Sequence, residues 1–490
     1  MLSAPLPSAA PARALAERAL SRAAGAPLLG DNAVELLIDA AANYDAWLAA
    51  IRGARHRVFL ENYIVRNDAV GQAFLEALVE RARAGVFVAV LVDWAGCLGQ
   101  SRRSFWGPLR AVGGHVRVFN PPRLGQSLGW ISRDHRKVLV ADGVDGFLSG
   151  VCISEKWLGN PNLDVPPWRD TGVAVRGPAV AEIEAAFAHS WSETGEPLPD
   201  FPRLLSAAEP AGSVSLRVIA TQPSTAGMYR LDQLIAAMAR KTLWLTDAYF
   251  VGIAPYVQAL LAAARDGVDV RLLVPGNSDL AIVAGMSRAG YRPLLKAGVR
   301  VFEWNGSMLH AKTAVADGQW ARVGSSNLNV ASWLSNFEID VAVEDAAFAS
   351  QLAAQYERDL GNATEIILAP HRHRGLHTTE EAVRSSQQRP RRVRGGGGSS
   401  SRAAVGALRV ANRVGAVLGN QRVLDGTSAG PMVASFVALV VFAGVAFLWP
   451  AWVAWPLGVL AAWFALNLAI ASWQKYRRHQ RAHDPSSGSH

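Results

Sequence analysis

Short apolar runs alternate with amphipathic stretches along most of the chain. Between residues 32 and 368, runs that suit β-strands are separated by longer segments whose apolar residues recur at helical spacing. Many of the strand-like runs are apolar without interruption, as expected for strands that helices cover on both faces. The pattern therefore predicts an α/β fold over these residues.

The order of these elements occurs twice. A strand-like run from Arg57 is followed by a helical stretch, two further strand-like runs and His135. A run from Lys241 begins the same series, which ends at His310. This internal repeat predicts two similar α/β halves. The predicted division is a flexible N-terminal segment (residues 1–30), a first half (31–205) and a second half (206–368), joined near residues 200–215.

The composition changes after Leu368. Residues 371–402 contain eight arginines against two glutamates, together with a run of four glycines and three serines, which is typical of a flexible basic linker. In the next segment arginines and valines fall on opposite helical faces, as in a helix that lies on an anionic membrane surface, although an ordinary surface helix would show the same pattern. We therefore predict a linker over residues 369–403 and an amphipathic helix over residues 404–425.

No charged residue occurs between Gly426 and Gln474. Two apolar stretches there, residues 432–449 and 451–473, flank Pro450 and approach the roughly 20 residues that a helix needs to span a bilayer. They predict a transmembrane hairpin over residues 426–474, followed by a basic tail over residues 475–490. Basic residues flank both ends of the hairpin, so both ends are expected on the cytoplasmic side. A helical pair buried in a soluble core is the alternative.

The charge balance favours acidic partners. The formal net charge of +9 suits nucleic acid or an anionic lipid surface without choosing between them. The two cysteines, Cys97 and Cys152, are too few for a disulfide framework or a thiolate metal cluster. The first thirty residues lack the apolar core of a signal peptide, so the N-terminal part is expected in the cytoplasm.

One short motif occurs at equivalent places in the two halves. The copies are His135-Arg-Lys137-Val-Leu-Val-Ala-Asp142 and His310-Ala-Lys312-Thr-Ala-Val-Ala-Asp317. Both read His-x-Lys-x4-Asp, and a pair of such matches is expected by chance on the order of once in 10⁵ chains of this composition. Residues two apart in a strand point to the same face, so each histidine should project beside its lysine, with the aspartate and its following glycine turning the chain beyond.

Paired histidines and lysines suit phosphodiester chemistry. A neutral imidazole can attack phosphorus while a protonated imidazole donates a proton to the departing alcohol, which divides one displacement into two through a covalent phosphohistidine. Lysine ammonium groups would neutralise the oxygens on which charge develops. This chemistry requires neither a metal nor another cofactor, and we predict none. The predicted catalytic residues are His135, Lys137, Asp142, His310, Lys312 and Asp317.

The motifs and the repeat around them resemble the phospholipase D superfamily and, within it, the bacterial cardiolipin synthases, most closely the type without an N-terminal membrane anchor. The resemblance covers roughly residues 30–368. It implies two α/β/α sandwich halves packed about a pseudo-twofold axis, with both motifs lining one cleft. It also implies that His135 is the nucleophile, that His310 is the general acid and base, and that Lys137 and Lys312 hold phosphate.

Small residues and an asparagine follow each motif in this family. Gly324-Ser-Ser-Asn327 fits that pattern, which makes Ser325 and Asn327 candidate supporting residues. The first half departs from it, because the corresponding places hold Ser149, Gly150 and Cys152. Phosphate contacts near Cys152 are therefore not expected to copy those of the second half.

The family also uses a carboxylate, further along the chain, to orient each histidine through its other ring nitrogen. Asp170, in Trp168-Arg-Asp-Thr-Gly, and Glu338, in Asn336-Phe-Glu-Ile-Asp, are the candidates. An ordinary surface carboxylate at either place is the alternative.

The resemblance implies a membrane enzyme of phospholipid synthesis. It would attack one phosphatidylglycerol, hold a phosphatidyl-histidine and pass it to a second phosphatidylglycerol, which gives cardiolipin and glycerol. Its partners would be phosphatidylglycerol and other anionic phospholipids of the bacterial inner (cytoplasmic) membrane.

Two other readings use the same sequence. A phospholipase D-type hydrolase, or a nuclease or phosphodiesterase, would carry the same motifs. Nucleic acid is not the expected partner, because much of the positive charge lies beside the predicted hairpin, where anionic lipid explains it. A non-catalytic membrane scaffold would not need two intact motifs. The sequence specifies neither the acceptor alcohol nor the oligomeric state.

Overall fold

The computed structural model describes residues 9–122, 132–201, 209–223, 225–368 and 421–424, together with Trp455, Ala462, Trp463 and Leu466. The predicted linker, the basic tail, most of the predicted amphipathic helix and almost all of the predicted hairpin lie outside the described residues. Within the described part, no helix is both long enough and apolar enough to cross a bilayer.

The described residues form ten α-helices and sixteen β-strands. The helices are α1 (Ala9–Ala24), α2 (Asp39–Gly53), α3 (Ala69–Arg83), α4 (Gly107–Ala111), α5 (Glu155–Leu158), α6 (Val180–Ser192), α7 (Gly227–Met238), α8 (Ala254–Arg265), α9 (Ala281–Lys296) and α10 (Ala346–Leu360). The strands are β1 (Leu29–Ile38), β2 (Arg57–Asn62), β3 (Phe87–Asp93), β4 (His115–Phe119), β5 (Lys137–Ala141), β6 (Asp145–Ser149), β7 (Thr171–Arg176), β8 (Val214–Thr221), β9 (Thr242–Thr246), β10 (Asp269–Pro275), β11 (Arg300–Trp304), β12 (Thr313–Ala316), β13 (Trp320–Gly324), β14 (Glu338–Val343), β15 (Ala363–Leu368) and β16 (Gln421–Leu424).

All sixteen strands hydrogen-bond in series as one sheet, and the predicted α/β fold is confirmed. The first half has the strand order β4-β3-β2-β5-β6-β7-β1, and the second half has the order β11-β10-β9-β12-β13-β14-β8. The same order therefore runs outward in both directions from the centre, where β1 and β8 pair antiparallel.

Each half is a mixed sheet. In the first half β2, β3 and β4 are parallel, whereas β5, β6 and β7 are antiparallel to their neighbours. The second half repeats this pattern with β9 to β14. Consequently β2, β3 and β6 end where β5 begins in the first half, and β9, β10 and β13 end where β12 begins in the second. Backbone contacts bring these two strand ends together. We call the joined ends the histidine edge, because His135 and His310 shortly precede β5 and β12.

Helices cover both faces of each half. On one face α2 and α3 pack against the first half, where the buried rings of Trp47 and Phe74 meet edge to face at 6.2 Å, and α7, α8 and α9 cover the matching face of the second half. On the other face α6 and α10 share one core that spans both halves and includes the stacked rings of Phe59 and Phe187, 4.9 Å apart. Burying each such ring contributes about 1.5–3 kcal/mol, so this shared core joins the halves into one unit.

The N-terminal segment differs from its prediction. Residues 1–30 were expected to be flexible, yet α1 packs against α7, with Leu20 and Ala24 buried in the second-half core beside Met228. The guanidinium of Arg230 also donates a hydrogen bond of 3.0 Å to the carbonyl of Ala23. The prediction was wrong for α1 because most of its apolar side chains are small alanines, and their partners lie about 200 positions away in the sequence.

Residues 421–424, at the outer edge of the second half, also differ from their prediction. Gln421–Leu424 belong to the predicted amphipathic helix, but they form β16, which pairs parallel with β15. An outer strand offers a row of unpaired backbone groups to any chain segment that reaches it. That non-local pairing replaces helical hydrogen bonds at these four residues.

Asn32 joins the two halves at the centre of the sheet. Its fully buried side-chain amide donates to the carbonyls of Leu29 and Gly30, at 2.9 and 2.8 Å, and to that of Val214 in β8, at 3.3 Å. Its oxygen accepts the backbone N–H of Ala179 at 2.8 Å, just before α6. One side chain thus connects β1, β8 and α6.

We expect Asn32→Ala to lower the free energy of unfolding by about 2–4 kcal/mol, because it leaves several buried backbone groups without partners. Denaturant titration followed by tryptophan fluorescence measures this change. Asn162→Ala, at an exposed position, is the matched control and should change it by less than about 0.5 kcal/mol. Equal effects of the two substitutions would contradict this role of Asn32.

Candidate active site

The two motifs meet at the histidine edge, and each lies against a segment of the opposite half. The backbone N–H of His135 donates to the carbonyl of Phe337 at 2.9 Å, and that of His310 donates to the carbonyl of Arg169 at 2.7 Å. Single parallel bridges, Asp134 with Phe337 and Arg169 with Leu309, accompany these bonds. The peptide that precedes each motif strand is therefore fixed by the other half.

Each histidine is also held by a carboxylate from the opposite half. Glu338 Oε2 lies 2.9 Å from His135 Nδ1, and Asp170 Oδ2 lies 2.8 Å from His310 Nδ1. An ionised carboxylate only accepts hydrogen bonds, so Nδ1 carries a proton in both rings and Nε2 is the nitrogen left for chemistry. Asp170 and Glu338 thus occupy the positions expected of them, and neither half contains a complete histidine–carboxylate pair.

Burial and local charge set the protonation of these pairs. Burial disfavours both carboxylate anions, but the charge and hydrogen bond of His310 outweigh it and lower the pKa of Asp170 to about 2, while His135 lowers the pKa of Glu338 in the same way. Burial, reinforced by the charge of Lys312, lowers the pKa of His310 to about 4, and burial also lowers the pKa of His135. The carboxylates are therefore ionised and the imidazoles neutral at pH 7.

Both motif lysines are fully buried. Each ammonium donates to the carbonyl of the histidine two residues earlier and lies over a tyrosine ring, Lys137 at 5.2 Å from the centre of Tyr63 and Lys312 at 5.8 Å from that of Tyr249. Burial is the main cause that lowers the pKa of Lys312, and the positive charge of Lys137 also lowers it. The resulting pKa is about 8. Two buried ammonium groups in one site attract an anion, which would stabilise the charge of Lys312.

The lysines also act across the two halves. Lys312 disfavours the protonated form of His135, and Lys137 disfavours that of His310, so the four side chains share one electrostatic environment. Among the described residues, no three or more His, Cys, Asp or Glu side chains gather in a way that could hold a metal ion. The arrangement can bind a phosphodiester anion and offers two imidazoles for transfer of a group and of a proton.

Ser325 lies behind Glu338 rather than at the lysines. Its hydroxyl donates to Glu338 Oε2 at 2.6 Å and accepts the backbone N–H of Ile339 at 3.0 Å. Asn327 is buried, and its amide oxygen has no hydrogen-bond partner among the described residues. Ser325 therefore supports the carboxylate, whereas Asn327 keeps an unused polar group beside the second motif.

The first half has neither a serine nor an asparagine at the equivalent positions. At one of the two positions the reason is steric. Gly150 corresponds to Ser325, and a Cβ atom on Gly150 would lie 2.1 Å from an oxygen of Asp170. Cys152 corresponds to Asn327, and burial raises the pKa of its thiol. The carboxylate of Asp170 thus fills the space that a serine side chain would need, and the two half-sites are not copies.

Four aromatic residues around the histidines were missed in the sequence. Trp157 Nε1 donates to Asp170 Oδ2 at 2.9 Å, and the rings of Trp157 and Trp168 lie 5.5 and 5.6 Å from that of His310. Tyr63 and Tyr249 contact His135 and His310 at 4.9 and 5.8 Å. The two tyrosines follow equivalent strands, β2 and β9, so alignment of the repeats could have identified them. Trp157 has no such counterpart, because Ser332 stands at the equivalent place.

The motif aspartates do not join this site. Asp142 and Asp317 follow the opposite ends of β5 and β12 and have left-handed backbones, with φ of 56° and 52°. Asp317 accepts the backbone N–H groups of Arg240, Lys241 and Thr242 at 2.7–2.9 Å, and Asp142 accepts three in the same way. These donors outweigh the opposing effect of burial and lower the pKa of Asp317. The catalytic assignment of both aspartates is therefore corrected to a structural one.

Comparison with known proteins identifies the family. The profile of a family described as "Cardiolipin synthase, PLD-like domain" matches residues 232–360. Cardiolipin synthase A of Pseudomonas putida (strain W619) is 35% identical over 360 residues, which cover 71% of this chain and 73% of that protein. The chain belongs to the cardiolipin synthase family. The cardiolipin synthase of Alkalihalophilus pseudofirmus is 33% identical over 367 residues, covering 73% of each chain.

One solved structure shows that the fold of this cardiolipin synthase family member is shared more widely. The crystal structure of phosphatidylserine synthase from Haemophilus influenzae matches with a TM-score of 0.51 at 15% sequence identity, covering 71% of this chain and 91% of that one. At this identity the match concerns the fold alone. It extends over both halves of the sheet rather than one motif.

The role of Asp317 gives a prediction. Asp317→Asn tolerates the left-handed backbone but has one acceptor oxygen for three N–H donors, so we expect the free energy of unfolding to fall by about 1–3 kcal/mol. Turnover per folded molecule should stay within about threefold of the wild type, because the residue lies far from the histidines. Denaturant titration and initial rates measure the two effects. Lys312→Met is the contrasting variant, and it should lose turnover. Loss of turnover in Asp317→Asn without loss of stability would restore the catalytic assignment.

Proposed function

We propose that this protein is a phosphatidyl transferase that makes cardiolipin and glycerol from two molecules of phosphatidylglycerol. The supporting observation is the single site in which two crossed histidine–carboxylate pairs flank two buried lysines. Such a site provides a nucleophile, an acid and positive charge for a phosphodiester. The relatives named cardiolipin synthase supply the lipid.

The first step forms a covalent intermediate. His135 Nε2 attacks the phosphorus of one phosphatidylglycerol, the phosphorus–nitrogen bond forms, and the bond from phosphorus to the glycerol oxygen breaks. His310 donates its proton to that oxygen, and glycerol leaves. His310 can carry this proton because a bound phosphate anion offsets the charges of Lys137 and Lys312, both of which lower the pKa of His310, so that this pKa rises when the substrate binds.

The second step reverses these roles. A hydroxyl of a second phosphatidylglycerol gives its proton to His310, and its oxygen attacks phosphorus as the bond to His135 breaks. Cardiolipin leaves, and both histidines return to their starting states. Glu338 stabilises the positive charge that develops on His135, and Asp170 does so for His310. Lys137 and Lys312 stabilise the charge on the non-bridging oxygens in both steps.

We also propose that residues 426–474 attach the enzyme to the bacterial cytoplasmic membrane as a hairpin. Their lack of charged residues and the basic residues on both sides support this proposal. The catalytic part and both ends of the hairpin would then face the cytoplasm, where phosphatidylglycerol headgroups are accessible.

Lipid products decide the proposed function. The full chain in vesicles of phosphatidylglycerol should form cardiolipin and free glycerol, detected by mass spectrometry, and His135→Ala should lower the rate by at least about 10³-fold, because it removes the imidazole on which the intermediate forms. His56→Ala, at an exposed histidine, is the matched control and should retain the wild-type rate. Formation of phosphatidic acid instead would indicate a hydrolase, and cleavage of DNA without new lipid would indicate a nuclease. Either result would overturn the proposal.

Trp157 gives a test of the roles of the two histidines. Trp157→Phe keeps an aromatic ring but removes the N–H donor to Asp170, which makes that carboxylate a stronger base and raises the pKa of His310. If His310 is the acid that protonates glycerol, the alkaline limb of the pH profile of kcat, which reports groups in the substrate complex, should move to higher pH. Movement of the acidic limb instead would assign the nucleophile to His310. Ser325→Ala removes the corresponding donor to Glu338 and should shift the opposite limb.

A further inference from the structure

Exposed apolar side chains gather at the histidine edge. Thirteen large apolar residues are exposed among the described residues, and eight of them lie in the segments that follow β3, β6, β10 and β13. All four strands end at the histidine edge. Single exposed apolar residues are ordinary on protein surfaces, but their concentration at one end of a molecule marks an interaction surface.

The most exposed residues of this group lie directly beside His310. Trp157, in α5, and Trp168 lie on either side of the loop that follows α5, and the rings of both contact His310. Between them Leu163 is 72% exposed and Val165 is 46% exposed. A short loop anchored by two buried indoles thus holds two apolar side chains out from the active site.

The loop after β10, which belongs to the second half, brings a further exposed apolar residue close to this first loop. Leu280 is 49% exposed and follows Asp279. Asp279 accepts the hydroxyl hydrogen of Tyr249 at 2.7 Å and lies 3.5 Å from the ammonium of Lys156 in α5. The two loops are therefore joined to each other and to a tyrosine that contacts His310.

The segment after β3 extends this surface to His135. Leu98 is 61% exposed and follows Cys97, whose sulfur lies 3.6 Å from the carbonyl of Tyr63, the tyrosine that contacts His135. Apolar side chains therefore stand on both sides of the paired histidines. We define the apolar rim as Leu98, Leu163, Val165 and Leu280.

We propose that the apolar rim inserts into the surface of an anionic phospholipid bilayer, with the opening of the active site turned towards the headgroups. Arg102 and Arg103 are exposed in the same segment as Leu98 and provide positive charge for anionic headgroups. Apolar side chains next to arginine are the combination that binds such a surface. The choice of a bilayer, rather than a protein, rests on the proposed function, because a lipid with its acyl chains in the membrane must present its phosphate to the histidines.

The apolar rim also supplies an orientation that a remote anchor does not. The predicted hairpin begins two residues after β16, which pairs with β15 at the outer edge of the second half, whereas the rim lies beside the histidines. Attachment at that outer edge alone leaves open which way the histidine edge faces. Contact of the rim with the membrane would turn the histidine edge towards its substrate. A lipid could then enter by moving its headgroup a short way out of the bilayer.

Fluorescence quenching tests the orientation of the rim. Leu163→Cys and Met238→Cys, each made in the full chain, are labelled with an environment-sensitive fluorophore and reconstituted in phosphatidylglycerol vesicles that contain lipids with nitroxide groups on their acyl chains. Met238 is the matched control, because it is 41% exposed and ends α7 at the opposite edge. Cys97 and Cys152 are buried, and labelled wild-type protein corrects for any reaction there. Quenching at position 163 should be at least about threefold greater than at position 238, and equal quenching would overturn the proposal.

Turnover of two forms of the substrate gives a second test. Leu163→Asp combined with Leu280→Asp should lower turnover of phosphatidylglycerol in vesicles by about tenfold or more, because two apolar insertions are lost. Turnover of a short-chain phosphatidylglycerol dissolved as monomers should stay unchanged, and Met238→Asp should alter neither rate. An equal loss on both substrates, or no loss on vesicles, would overturn the role of the rim. If the wild-type protein makes cardiolipin from neither substrate, the proposed function fails, while the quenching result still decides whether the rim meets the bilayer.

Discussion

The rest of the site depends on the exchange of carboxylates between the two halves. Glu338 holds His135 and Asp170 holds His310, each across the boundary of the repeat. This exchange requires the peptides before β5 and β12 to lie against the segments before β14 and β7. It therefore fixes the relative position of the halves at the histidine edge, while Asn32 and the core shared by α6 and α10 fix it elsewhere.

The sequence predicted those parts of the structure that local pattern and repetition encode. Apolar periodicity indicated the α/β fold, and the repeated order of elements indicated two halves with one histidine in each. Asp170 and Glu338 could be proposed from their positions, but their exchange could not, because the pairing of segments 140 and 203 residues apart has no local signature. The burial of α1 was missed for the same reason. The aspartates of the motif were misassigned because a turn residue and a catalytic residue look alike in a sequence.

The two half-sites differ in the groups that support each carboxylate. Glu338 receives the hydroxyl of Ser325, whereas Asp170 receives the indole N–H of Trp157 and leaves no room for a serine at position 150. His310 is therefore enclosed by more aromatic surface than His135, which agrees with the strong lowering of its pKa. Chemically distinct environments are what a reaction with two different histidine roles requires.

The exchange of carboxylates also bears on how such a chain can arise. A single half contains one histidine and one carboxylate that cannot reach each other, so it could assemble a working pair only in a symmetric dimer, where each copy lends its carboxylate to the other. Two-fold symmetry would make both pairs in such a dimer identical. Joining the copies in one chain removes that constraint, because each position can then change on one side alone. Gly150 opposite Ser325, Cys152 opposite Asn327 and Trp157 opposite Ser332 are substitutions of a kind that only the joined chain permits.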